Sequence, residues 1–306
     1  MMGKSEKEPY PSGDPTTTPT FLVTGATSGL GEAIATQLAD RRARVLLGAR
    51  TAERGDAAAN RIRSQVPDAD LAVAPADLSL MREVRSLAYH VMKTTTRLDG
   101  LILNAAEAHS GIVLTDEGIE TNFATNHLSG FLLTHLLLPL LQSSAPARVV
   151  VVSSSVHAQV RMVDLNSVVT GAPLTPDGYR TSKLLNILFV HELARRLQGR
   201  QITANAADPG FVRTNLGRHA TGGRHVLLTL TRPMQVSPDR AAATPVYLAT
   251  SVDVADATGG YYAGGQPAEV SELAKNTKLA RRLWAVSAQA LVNRRLATLN
   301  EMIAFG

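Results

Sequence analysis

The chain has 306 residues, 44% hydrophobic and 19% charged, an ordinary globular composition that excludes wholesale disorder. It contains no cysteine, which rules out a disulfide framework, a cysteine-ligated zinc and a thiolate nucleophile together. The net charge of +5 invites a nucleic-acid reading, but Arg41, Arg42, Arg44, Arg195, Arg196, Arg281 and Arg282 are scattered, aromatics are only 4%, and no nucleic-acid motif is present.

Residues 1–19 are polar and rich in Pro and Thr, without the apolar stretch of a signal peptide, and read as a disordered leader. A soluble, cytoplasmic protein is expected. From there short β-like runs alternate with helical patterns. Strands are predicted at Phe21 to Thr24, Arg44 to Gly48, Leu71 to Ala74, Leu101 to Leu103, Arg148 to Val152 and Ile202 to Ala206, with a seventh near Gly260 to Tyr262. Helices are predicted at Glu32 to Arg41, Ala52 to Val66, Met81 to Lys93, Thr115 to Leu141 and Gly178 to Leu197, where apolar residues recur at three- and four-residue spacing. The longest apolar run, Phe131 to Leu141, is broken by Thr134, His135 and Pro139 and is far shorter than the ~20 residues of a membrane span.

Strands such as Val149-Val150-Val151-Val152 are apolar throughout, as in a sheet covered by helices on both faces. Repeated β-α units of this kind predict an α/β fold: a doubly wound parallel sheet of about seven strands, Rossmann-type. No linker or repeat interrupts Phe21 to Gly265, so residues 20–306 read as one dinucleotide-binding and catalytic domain, with a C-terminal helical segment near 270–298. Residues 211–236 mix glycines with Val226, Leu227, Leu228 and Leu230, and are expected to form a substrate lid.

The first strand runs into Thr24-Gly25-Ala26-Thr27-Ser28-Gly29-Leu30-Gly31 and then into a helix. Such a turn lets the backbone approach a pyrophosphate while free N–H groups at the helix start bind it. Ala49 and Arg50 end the second strand, where a carboxylate would accept from a ribose. An arginine there suits a 2′-phosphate and favours NADP(H). Tyr179 and Lys183 are four residues apart on one helical face, just after the fifth strand. A phenol beside an ammonium is a proton donor and acceptor for a carbonyl and its alcohol.

With its Thr-Gly-x-x-x-Gly-x-Gly turn, Asp77-Leu78 after strand three, Asn104-Ala105 after strand four and Pro209-Gly210 after strand six, the chain resembles the short-chain dehydrogenase/reductase family over about residues 20–265. The resemblance implies cofactor contacts from Gly25, Thr27, Ser28, Gly29, Leu30, Gly31, Asp77, Leu78, Asn104, Ala105, Pro209, Gly210, Val212 and Thr214. It also implies that Lys183 holds the nicotinamide ribose, that Ser154, second of the serines Ser153-Ser154-Ser155, orients the carbonyl oxygen, and that Asn126 helps a water relay to the lysine. Ala106 departs from the family's Asn-Asn-Ala-Gly, where glycine is usual.

The stretches Thr125 to Thr134, Tyr179 to Leu188, Glu192 to Leu197 and Leu279 to Trp284 look like the retinol dehydrogenase-like branch. That likeness implies a small lipophilic aldehyde, ketone or alcohol as substrate. His127 and His135 show no metal-ligand spacing and read as packing or solvated residues. No metal, no nucleic acid and no membrane span are expected, and a homo-oligomer is left open. The competing reading is a non-catalytic NADP(H)-binding sensor or scaffold, which loss of Tyr179, Lys183 or Ser154 would have favoured.

Overall fold

A computed structural model describes residues 18–109, 111–167, 177–212 and 236–302. The elements in chain order are β1 (Thr20–Val23), α1 (Gly29–Asp40), β2 (Arg44–Ala49), α2 (Ala52–Gln65), β3 (Leu71–Pro75), α3 (Met81–Thr94), β4 (Gly100–Leu103), α4 (Thr121–Phe123), a π-helical turn (Ala124–Leu128), α5 (Ser129–Ser143), β5 (Ala147–Val152), α6 (Gly178–Arg196), β6 (Ile202–Asp208), α7 (Pro238–Thr250), β7 (Tyr261–Ala263), β8 (Gln266–Pro267), α8 (Thr277–Asn293) and α9 (Leu299–Met302).

The strands form one sheet in the order β3-β2-β1-β4-β5-β6-β7-β8, parallel throughout except for the short antiparallel β8, which adds an eighth strand to the seven predicted. The apolar strands are explained by burial on both faces. Leu22, Leu46, Val149 and Val151 point into one core with α3, α5, α6 and α8. Phe21, Val23, Val45, Leu47, Val150 and Val152 point into the other, with α1, α2 and α7. Among the described residues no helix is long and apolar enough to cross a membrane.

The predicted helix from Thr115 starts late. Thr115 to Ile119 is a turn closed by Thr115 N–H to Ile119 O (2.8 Å), with Gly118 at φ +70°. The Glu120 carboxylate then caps α4, accepting from the backbone N–H groups of Asn122 (3.1 Å) and Phe123 (2.8 Å). A wide π turn follows at Ala124–Leu128, a feature often found where helices carry function. Asn126 lies inside it. The predicted lid falls almost entirely on 213–235, outside the described residues, as does Thr214.

Candidate active site

β1 and β4 are neighbours in the sheet, but the helices after them pack on opposite faces, so the crevice between their carboxyl ends is where an open α/β sheet takes ligands. The glycine turn fills that crevice. Gly25 has φ +65°, a conformation glycine adopts without strain. Gly31 is needed for space: a β-carbon there would stand 2.2 Å from the Gly25 carbonyl oxygen and 2.5 Å from Asn104 Nδ2. Ser28 makes no side-chain cap on α1, which leaves first-turn N–H groups open to an anion. This close approach and open donor set fit the diphosphate of a dinucleotide.

Asn104 and Ala105 lace the end of β4 to this turn. Asn104 Nδ2 donates to Thr24 O (2.9 Å), and Thr24 Oγ1 accepts from the N–H groups of Asn104 (2.9 Å) and Ala105 (3.0 Å). Thr24 was not singled out in the sequence, although its place before the first glycine was the signal. Ala106 is not among the residues with positive φ, so alanine serves where the family has glycine. Thr27 offers its carbonyl to Arg61 (2.9 Å) and Leu30 is buried on α1. Asp77 accepts from Ser79 N–H (2.9 Å), Leu78 is buried, and Val212 bridges to Val236. Gly210, after Pro209, donates its N–H to Asp208 Oδ1 (2.8 Å). Arg50 is not simply solvated. It pairs with Glu107, and its Nε lies 3.7 Å from Asp77 Oδ2.

The second group gathers at the carboxyl end of β5. Lys183 is buried, donates from Nζ to Val152 O (3.1 Å), and lies 5.4 Å from the centre of the Tyr179 ring. The three serines now separate. Ser153 is buried and spends its hydroxyl on Lys183 O (2.7 Å), whereas Ser155 is exposed at the start of a single helical turn. Ser154 is half-buried and its oxygen accepts only a long bond from Val156 N–H (3.5 Å). Among the described residues its hydroxyl proton has no acceptor, unlike that of Ser153.

His157 braces this turn. Its Nδ1 lies 2.8 Å from Ser154 O and its Nε2 accepts from Ser271 N–H (3.2 Å), which assigns the proton to Nδ1. Asn126 clamps the chain after β4. It accepts from Glu107 N–H at Oδ1 (2.7 Å) and donates from Nδ2 to Glu107 O (2.8 Å) and Ser182 Oγ (2.9 Å). Both Nδ2 protons are used, while Oδ1 keeps a second lone pair for a further donor.

Burial pulls Lys183 down to about 8, opposed by Asp208. Tyr179 is pushed up to about 12, first by burial and then by the negative charges of Asp208 and Asp177. Asp208 is thus a buried acid acting on both members of the pair. It is held by Gly210 N–H and by the Tyr261 hydroxyl (2.7 Å). An aspartate ending the otherwise uncharged strand Ile202–Asp208 was the available sequence signal. His127 and His135 are buried and stay neutral, pulled by burial to about 3 and about 4, so neither is solvated.

The family model for short chain dehydrogenases matches residues 19–224. The chain belongs to that family. Mouse retinol dehydrogenase 14 is 41% identical over 288 residues, covering 88% of this chain and 84% of the relative. Human retinol dehydrogenase 13 is 38% identical over 278 residues, covering 88% and 83%. Among solved structures, an uncharacterised protein from Mycobacterium paratuberculosis superposes with a TM-score of 0.70 at 33% identity, covering 89% of this chain and 92% of that one. The Pseudomonas aeruginosa RhlG/NADP active-site complex gives 0.65 at 30% identity, covering 81% and 95%. The short-chain dehydrogenase is accordingly an oxidoreductase of the retinol dehydrogenase-like branch, a family that uses a nicotinamide cofactor.

Proposed function

We propose that the protein is an NADP(H)-dependent oxidoreductase that interconverts a lipophilic aldehyde or ketone and its alcohol, with Tyr179 as general acid and base. The buried Lys183 set against the half-buried Tyr179 at the end of β5 carries this reading. When bound, the nicotinamide supplies the hydride for reduction or receives it in oxidation. Tyr179, held as a phenol, gives its proton to the carbonyl oxygen as that oxygen gains negative charge. Ser154 donates its hydroxyl to the same oxygen and fixes its direction. Lys183 keeps positive charge beside the phenol and holds the cofactor ribose.

The apolar character of the substrate rests on the loops around the site. Ile112, Val113 and Leu114 follow β4, Met162 follows β5 and Phe211 follows β6, and all five are exposed. The loops after three adjacent strands thus carry exposed apolar side chains, from which a polar substrate would gain nothing. Retinol dehydrogenases among the relatives point the same way. The test is NADPH consumption by the purified protein across aliphatic aldehydes, steroid ketones, retinoids and small hydrophilic carbonyls. Turnover should favour the lipophilic compounds, and consumption with none of them sinks the proposal.

For the cofactor, the reading rests on Arg50, which directly follows β2, and on Ala49, which puts no carboxylate at the end of that strand. NADPH should bind more tightly than NADH. Arg50→Ala should narrow that gap by about 1.5 kcal/mol, the low end for hydrogen bonds to charged groups, because Arg50 first gives up Glu107 and Asp77. Equal dissociation constants for the two cofactors in the unaltered protein would refute this.

Tyr179 is also placed by its neighbour. A β-carbon on Gly178 would lie 2.8 Å from Asn122 Nδ2, and Asn122 cannot yield, since it is buried and bonded to Glu120 Oε1 (2.7 Å) and His109 N–H (3.0 Å). Gly178→Ala must therefore shift the start of α6. Turnover should fall about 10- to 100-fold, in line with sub-ångström misplacement of a reacting group, while NADPH affinity holds. Unchanged turnover would show that the tyrosine tolerates the shift.

A further inference from the structure

The ion pair between Arg50 and Glu107 lies in an unusual place. Arg50 directly follows β2, and Glu107 stands shortly beyond β4. Since β2 and β4 flank β1, the pair reaches across the end of β1, over the glycine turn. Glu107 has its other oxygen, Oε2, 3.0 Å from His109 Nε2. Its backbone is clamped by Asn126 through both N–H and C=O, so only the carboxylate is free to swing. Asp77 Oδ2 lies 3.7 Å from Nε of the same guanidinium. One cation therefore faces two carboxylates before any ligand arrives.

We infer that Glu107 sets the discrimination between cofactors with and without a 2′-phosphate, by occupying Arg50 in the free protein and yielding it to the phosphate. The inference rests on the proposed role of Arg50. A 2′-phosphate offers several acceptor oxygens to the guanidinium fork and competes directly with the carboxylate. It also meets the repulsion of that carboxylate. A plain ribose hydroxyl has no claim on Arg50 and leaves the pair intact. Glu107 thus penalises the phosphorylated cofactor alone. The guanidinium is 46% exposed, so the penalty is that of a partly solvated ion pair.

The experiment measures dissociation constants of 2′,5′-ADP and 5′-AMP for the unaltered protein, Glu107→Gln, Arg50→Ala and the double variant. Glu107→Gln keeps the backbone bonds to Asn126, and its melting curve serves as the check on folding. It should tighten 2′,5′-ADP about 2- to 5-fold, the range of an exposed ion pair, with 5′-AMP unchanged. The gain should shrink in the Arg50→Ala background, where only the repulsion between carboxylate and phosphate is left to remove. A ratio of the two affinities that stays level or falls in Glu107→Gln overturns the inference, as does an equal gain without Arg50. The cofactor reading is judged separately: it fails if the unaltered protein binds both fragments equally. In that case a ratio that rises in Glu107→Gln still supports the role of Glu107.

Discussion

Replacing Tyr179 with Phe should lower turnover by about 10²- to 10⁴-fold, the span that a positioned acid–base group supplies. The ring stays, so its packing against the Lys183 ammonium at 5.4 Å is kept. What goes is one oxygen, which makes no hydrogen bond among the described residues, so the melting temperature should move little. NADPH should still bind, with a dissociation constant within a few-fold of the parent. The phenol is held protonated by burial and by the charges of Asp208 and Asp177, which makes it a ready donor in reduction across neutral pH. Turnover close to that of the parent would make Tyr179 structural and end the proposed chemistry.

The sheet and the cofactor turn were legible because their signals are local. A strand buried on both faces must be apolar at every position, as Val149 to Val152 are, and a turn that lets Gly31 touch the Gly25 carbonyl admits no side chain. The predicted helix from Thr115 starts too early because Ile119 and Phe123, four residues apart, fit a helical period, whereas Gly118 and the Glu120 cap decide where the helix starts. Partners across the sheet were not legible at all. Glu107 and Arg50 are 57 residues apart, and Asp208 and Tyr261 are 53 apart. No local pattern announces such pairs, because they depend on strand order and register. The choice of Ser154 over Ser153 rests on the family resemblance, and in the structure the Ser153 hydroxyl is bonded to Lys183 O.

Reduction should lose rate as pH climbs past about 8, and Lys183 is the group responsible. Burial among apolar neighbours disfavours its ammonium and brings it down to about 8, against the pull of Asp208 in the other direction. Below that pH the ammonium is present beside the phenol and can donate to a ribose. Above it the proton leaves, and kcat/KM for the carbonyl should fall about tenfold per pH unit, as for a single required protonated group in the free enzyme. Tyr179 cannot be the source of this limb, since it is pushed to about 12. Asp208 provides the control. It is buried and fixed by Gly210 N–H and the Tyr261 hydroxyl, and its negative charge favours the protonated form of Lys183. Asp208→Asn removes that charge, so the ammonium becomes easier to lose and the limb should move to lower pH. A limb that stays in place would belong to another group, and a profile flat up to pH 10 would mean that the lysine proton is not required.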